Sequence, residues 1–153
     1  MPTSNAGLAK SNKKMALVKS HSVEETSAIG KNLALTIPEK SVVAFFGELG
    51  AGKTTLIKSF VEERIGISKE AVSSPTFQIL HIYEGAENTL YHFDLWRLAD
   101  SEEFIALGFD EYLTGHDVCI EWSEKIESIL PKNCYRILIT GPSEYEREIR
   151  ITH

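Results

Sequence analysis

Ser41-Val42-Val43-Ala44-Phe45-Phe46-Gly47-Glu48-Leu49-Gly50-Ala51-Gly52-Lys53-Thr54-Thr55 is the stretch that decides the fold. Beyond Ser41 the run to Phe46 is continuously apolar, as in a strand buried on both faces. After the glycine-rich turn, Leu56, Ile57, Phe60, Val61 and Ile65 form one broad apolar face and predict a helix from Lys53 to about Ile65. Between strand and helix, Gly47 to Thr54 satisfies the pattern Gly-x-x-x-x-Gly-Lys-Ser/Thr at every fixed position. The glycines let the backbone curl so that successive N–H groups point at phosphate oxygens. Lys53 adds a positive charge over the β and γ phosphates, Thr54 offers a hydroxyl to magnesium, and the helix aims its positive end at the same anion. The stretch reads as a P-loop for a nucleoside triphosphate with Mg2+, ATP being the expected nucleotide although no motif separates adenine from guanine. Glu48, Leu49, Gly50, Ala51, Gly52, Lys53, Thr54 and Thr55 make up the candidate cradle. A plain glycine turn would leave both the full match and its strand–helix setting unexplained.

Toward the N-terminus, Ser22-Val23-Glu24-Glu25 fits a capping box, Ile29, Leu33 and Ala34 follow at helical spacing, and Pro38 ends the run. Residues 1–19 carry Pro, Ser, Asn, Gly and lysines with little apolar content; they read as a disordered leader, with 20–153 as a P-loop ATPase domain. Toward the C-terminus, Phe77 to Tyr83 and Thr89 to Asp94 read as two strands around a hairpin loop at 84–88. Ser101-Glu102-Glu103 opens a helix, Val118 to Glu121 reads as a short buried strand, and Ser123 to about Leu130 as helical. Tyr135 to Thr140 and Glu148 to Thr152 read as closing strands around a Gly141-Pro142 turn. This alternation predicts an α/β fold, a P-loop NTPase-like three-layer sandwich whose mixed, mostly parallel sheet carries a β-hairpin insertion.

A P-loop needs acidic partners for metal and water. Asp94 and Glu121 each close an apolar strand, where side chains face the crevice in which α/β folds bind ligands. His92 interrupts the first run, while Glu121 follows the cleaner one; the residues alone do not divide the work between them. Ser73-Ser74-Pro75-Thr76 is either a turn before a strand or a switch-like segment, and turn chemistry alone favours the turn. Trp122 reads most simply as a core aromatic that could also cover the nucleotide. Arg97 is expected in an exposed salt bridge. His81 and His92 have no metal-ligand spacing and read as decoration of the hairpin.

Composition excludes several classes. With 16 Lys and Arg against 22 Asp and Glu, the net charge of −6 argues against a chain that grips nucleic acid or an anionic membrane by itself. Cys119 and Cys134 lack a C-x-x-C pairing, so neither zinc nor a disulfide framework is expected. No apolar stretch reaches the length of a membrane span, and the N-terminus lacks a secretory h-region, so the cytoplasm is the expected compartment.

The order GELGAGKTT, SSPTF, YHFDLWRL, a Glu-Glu-Phe helix with Leu107-Gly108, then CIEWSEKI resembles the TsaE (YjeE) family over about residues 22–140. The P-loop is shared by many families, whereas SPTF, HFDL-x-RL and IEW in that order are far more specific. The sequence departs from the family pattern at Trp96, usually Tyr, and at Ser123, usually Pro. The resemblance implies nucleotide binding by Gly47 to Thr55, magnesium at Thr54, and functional roles for Thr76, Asp94, Glu121 and Trp122. It implies catalysis resting on Lys53, Asp94 and Glu121, with Asp94 or Glu121 orienting metal or water. It further implies a weak, partner-dependent ATP hydrolase acting with TsaD-like and TsaB-like proteins in the threonylcarbamoyladenosine modification of tRNA, which it would meet only through those partners. Two other readings of the same loop are a small-molecule kinase and a GTP-controlled switch. The first lacks an obvious arginine lid and the second a base-reading Asn/Thr-Lys-x-Asp segment.

Overall fold

The strand at Val42–Phe46 lies near the middle of a seven-stranded sheet, and its alternation distributes the core between the two faces. Val43 and Phe45 point into one apolar layer, and Val42 and Ala44 into the other. A strand buried on both sides must be apolar at every position, which is why this run shows no polar alternation.

The computed structural model describes residues 15–48 and 50–153. In chain order the strands are β1 (Met15–Ser20), β2 (Val42–Phe46), β3 (Leu80–Glu84), β4 (Thr89–Asp94), β5 (Asp117–Glu121), β6 (Tyr135–Ser143) and β7 (Glu146–Thr152). The α-helices are α1 (Val23–Thr36), α2 (Lys53–Ile65) and the short α3 (Ser101–Ala106). Strand order is β1-β7-β6-β2-β5-β4-β3. The ladders β6/β2, β2/β5 and β5/β4 are parallel, and the outer ladders are antiparallel. Five strands therefore point the same way, with β3 and β7 reversed.

Helices α1 and α2 cover one face. Leu33, Ala34, Ile37, Leu56, Ile57, Phe60 and Val61 pack there on Val43, Phe45, Ile137, Ile139 and Ile149. The two helices approach closely at Gly30, where a Cβ would lie 2.0 Å from Ser59 Oγ and 2.6 Å from the Leu56 carbonyl. The opposite face is covered by Phe104 of α3, by Leu113, and by Ile126 and Leu130 around a 3-10 stretch at Ser123–Ile129. These are the layers of a three-layer α/β sandwich.

Several local expectations are corrected. Residues 15–19, placed in the leader, belong to β1, which pairs with β7 from Met15↔Thr152 to Ser20↔Arg147. Met15 to Val18 form an apolar run, but an edge strand pairs on one side only and leaves Met15 and Leu17 more than half exposed. The rest of the leader, 1–14, lies outside the described residues. The strand expected from Phe77 starts at Leu80. Phe77 is 76% exposed, and the chain turns at Ile79, whose N–H bonds the Pro75 carbonyl at 2.6 Å. Gly141 and Pro142 sit inside β6 at a register irregularity, and the reversal falls at Glu144–Tyr145. The helix expected after Ser123 is 3-10, and α3 is capped by Asp100, whose Oδ1 accepts the Glu103 N–H at 3.0 Å. The capping box before α1 is half as expected. Ser22 Oγ accepts the Glu25 N–H at 3.0 Å, but the Glu25 carboxylate accepts from His21 N at 2.7 Å, one residue earlier than the reciprocal bond would fall.

Candidate functional site

The loop between β2 and α2 opens at the C-terminal ends of the parallel strands. Gly47 leaves β2 with φ 143°, and a Cβ there would lie 2.5 Å from the Ile139 carbonyl, so only glycine fits the approach to β6. Gly52 caps α2 from a left-handed conformation, φ 110°, and contributes no side-chain cap. The first N–H groups of a thirteen-residue helix thus point at the loop without a side-chain acceptor. Leu49 lies outside the described residues.

A cavity of about 480 Å3 forms over this helix end. It is lined by Gly50, Gly52, Lys53, Thr54 and Thr55 of the loop, Ser74 and Thr76, Asp94 and Trp96, and Glu121 and Trp122. Most of the expected site residues therefore converge. Glu48 and Ala51 instead line an adjoining hollow of about 800 Å3 between the loop and the end of β6, with Arg147 on its wall. Arg147 Nε also donates to the Ala51 carbonyl at 3.0 Å, tying β7 to the loop.

Lys53 is 5% exposed, yet its ammonium reaches the cavity. Nζ donates to the Gly47 carbonyl and lies 3.8 Å from the centre of the Trp122 ring. Burial lowers its pKa, an effect opposed by the carboxylates of Glu124, Glu121 and Asp94. Trp122 adopts a left-handed conformation, φ 60°, costly for a bulky residue. That conformation turns its ring over Lys53 and against Trp96, 4.7 Å between centroids. Trp122 is thus only half a core residue, with its ring forming part of the cavity wall.

The two acids stand side by side because Asp94 of β4 and Glu121 of β5 are register partners, each 3% exposed. Asp94 is held from two sides. Thr76 Oγ1 donates to Oδ2 at 2.8 Å, and the Trp96 N–H donates to Oδ1 at 3.0 Å. Glu121 faces the helix end, where Thr54 Oγ1 donates to its Oε1 at 3.4 Å. Burial acts to raise the Glu121 pKa, but the His92 hydrogen bond and nearby His92, Ser74 and Lys53 more than offset it, holding the carboxyl below its ordinary range. Thr54, Asp94 and Glu121 thus supply hard oxygen donors suited to Mg2+. The uncapped helix end beside them suits a phosphate group.

Three residues at the site had no place among the expected site residues: Trp96, on the cavity wall, Ser74 and His92. Ser74 Oγ lies 3.0 Å from Thr54 Oγ1, so Ser73 to Thr76 is a wall of the cavity as well as a turn. The segment is fixed from behind by Tyr83, whose hydroxyl donates to the Ser73 carbonyl at 3.1 Å. His92, read as hairpin decoration, is fully buried with Nε2 2.7 Å from Glu121 Oε2. Only its position two residues before Asp94, on the same strand face, signalled this beforehand. Arg97 stacks on Phe77, 4.3 Å from the ring centre, outside the cavity.

Comparison with known proteins places the chain in a family. The model of the family described as threonylcarbamoyl adenosine biosynthesis protein TsaE matches residues 20–149. The tRNA threonylcarbamoyladenosine biosynthesis protein TsaE of Bacillus subtilis (strain 168) is 43% identical over 130 residues, 84% of this chain and 80% of that protein. The protein of the same name from Rickettsia conorii is 40% identical over 110 residues, 72% of this chain and 62% of its own length, so the match spans less than two thirds of that relative. The crystal structure of Bacillus subtilis YdiB superposes with a TM-score of 0.74 at 36% identity, covering 92% of this chain and 86% of that one. With the family model spanning nearly the whole described chain, and a relative 43% identical over 84% of it, the chain belongs to the TsaE family of threonylcarbamoyl adenosine biosynthesis proteins.

Proposed function

We propose that this chain is an ATPase that binds ATP with Mg2+ and hydrolyses it slowly alone and faster with TsaD-like and TsaB-like partners, in the threonylcarbamoyladenosine modification of tRNA. The observation that carries the reading is the convergence of Lys53, Thr54, Asp94 and Glu121 on one cavity over an uncapped helix end. The names of the relatives support the pathway. The net charge of −6 agrees with a chain that meets tRNA only through its partners.

In this reading the loop and helix end beside Lys53 and Thr54 would hold the phosphates, and the adjoining hollow beside Gly47 and Ala51 would have room for the nucleoside. Lys53 exchanges the Gly47 carbonyl for phosphate oxygen, a charged and stronger acceptor. Bound Mg2+ would neutralise charge developing on the phosphates. Thr54 and Glu121 are the residues to hold it. Asp94, anchored by Thr76 and the Trp96 amide, orients the Ser73–Thr76 wall and the attacking water. Trp122 and Trp96 exclude bulk solvent from the same side. Positioning and charge stabilisation carry such chemistry, so loss of one charged group is costly.

The test is ATP hydrolysis by the purified chain, alone and with the two partners, beside Lys53→Ala. A weak rate, raised by the partners and lowered on the order of 100-fold in the variant, is expected. A rate indifferent to both partners and variant would overturn the reading. Transfer of labelled phosphate to a metabolite, or preference for GTP, would redirect it.

A further inference from the structure

His92 is a fully buried imidazole in an otherwise apolar layer. It lies on the strand face of Leu90 and in register with Cys119, both part of the core beneath α2. Among the described residues its ring makes one polar contact, Nε2 to Glu121 Oε2 at 2.7 Å, and Nδ1 has no hydrogen-bond partner there. A carboxylate only accepts, so Nε2 carries the hydrogen. Burying a polar ring with one side unpaired costs free energy, and an apolar residue would avoid that cost.

The geometry offers a reason for keeping it. The terminal torsion of a glutamate side chain is broad, so a carboxylate reached by one weak contact swings easily. On the cavity side the contact to Oε1 is loose, with the Thr54 hydroxyl at 3.4 Å and Ser74 beside it. With Oε2 held at 2.7 Å from behind, Oε1 is directed at the Thr54 hydroxyl and the cavity. We propose that His92 is a positioning residue: its Nε2–H clamps the rear oxygen of Glu121 so that the front oxygen is presented, with Thr54, to the cation accompanying the triphosphate. The proposal rests on the Mg2+-nucleotide reading of the site and names a residue that reading leaves without a role. His92 itself touches neither nucleotide nor metal.

Glutamine and asparagine separate this role from simple packing. The Gln amide nitrogen reaches roughly where Nε2 lies, whereas that of Asn stops near Nδ1 and cannot touch Glu121. Both keep a polar amide in the pocket, and thermal unfolding of each variant establishes that it is folded. The measurement is binding of a fluorescent, non-hydrolysable ATP analogue, titrated with Mg2+ and also in EDTA. The clamp predicts that His92→Asn needs about tenfold or more Mg2+ for half-maximal effect, the usual cost of losing a partner behind a metal ligand. His92→Gln should stay within about threefold of the parent, and binding in EDTA should be the same for all three. Equal Mg2+ requirements for parent, Gln and Asn forms overturn the clamp. So does an equal loss in both variants that persists in EDTA, which marks a packing role. If Mg2+ has no effect on analogue binding by the parent chain, the reading of the site fails and the clamp with it.

Discussion

Strand β5 ends in a buried carboxylate at each end, and helix α2 reaches both. Asp117 and Glu121 lie on the same strand face, four residues apart, about 13 Å along a strand. Arg64 and Thr54, their contacts on α2, are ten residues apart, about 15 Å along a helix. The helix lies over the strand with matched length, one polar contact at each end. At the Asp117 end the contact is a cation. Arg64 Nη1 donates to Oδ1 at 3.0 Å, Nη2 to the Ile37 carbonyl at 2.7 Å, and the Lys40 N–H adds a bond to Oδ1 at 3.1 Å. At the Glu121 end the direct contacts are Thr54 and His92, which satisfy hydrogen bonds without capturing the charge in a salt bridge to Lys or Arg. Two buried acids on one strand therefore have opposite fates: one is neutralised inside the fold, and the other keeps its charge available to a ligand.

Removing the cation should produce the largest effect. Arg64→Met leaves Asp117 buried and unpaired and should cost about 3–5 kcal/mol in urea unfolding. Adding Asp117→Leu should recover most of that loss, since apolar replacements of buried ion pairs are often neutral. A single variant within about 1 kcal/mol of the parent would erase the distinction between the two ends. Next in size, Glu121→Gln keeps an acceptor for His92 and should change stability by no more than about 1 kcal/mol. It should nevertheless slow partner-stimulated hydrolysis on the order of 100-fold, equivalent to about 2.7 kcal/mol. Unfolding as severe as in Arg64→Met would make Glu121 a structural acid like its counterpart.

The smallest effect is on pH. Glu121 has a folded pKa below its ordinary value of 4.5, so its contribution to stability is complete above that value and lost as pH falls through the lowered one. Burial raises Asp117 above its ordinary 3.8 in spite of Arg64, so its contribution is complete below 3.8 and lost as pH rises through the raised value. Acid titration of unfolding free energy should lose the limb below pH 4.5 in Glu121→Gln and keep it in Asp117→Asn. The same limb in both variants would break the comparison.

Much of the fold was legible beforehand where one segment carries its own pattern. The run Val42–Phe46 and the apolar face of α2 each repeat within a few residues, and the glycine turn between them specifies its own backbone. Edge strand β1 and the β6–β7 turn were misread for the opposite reason. Their conformation is fixed by pairing, between strands that the local pattern barely marks. The acids at Asp94 and Glu121 were visible as strand ends, but their adjacency was not, because it depends on the register of β4 against β5. Ser74 and His92 were the clearest omissions as site residues.

The sequence by itself determined the glycine-rich loop and its open helix end, since Gly47, Gly52, Lys53 and Thr54 lie within eight residues and set backbone conformation locally. Tertiary structure decided which buried charge was paired and which was left available. Arg64 meets Asp117 across 53 positions of chain and His92 meets Glu121 across 29. No local periodicity encodes those distances. They are set when the helix docks on the sheet and the strands choose their register, because only then does each buried polar atom find its partner or go without.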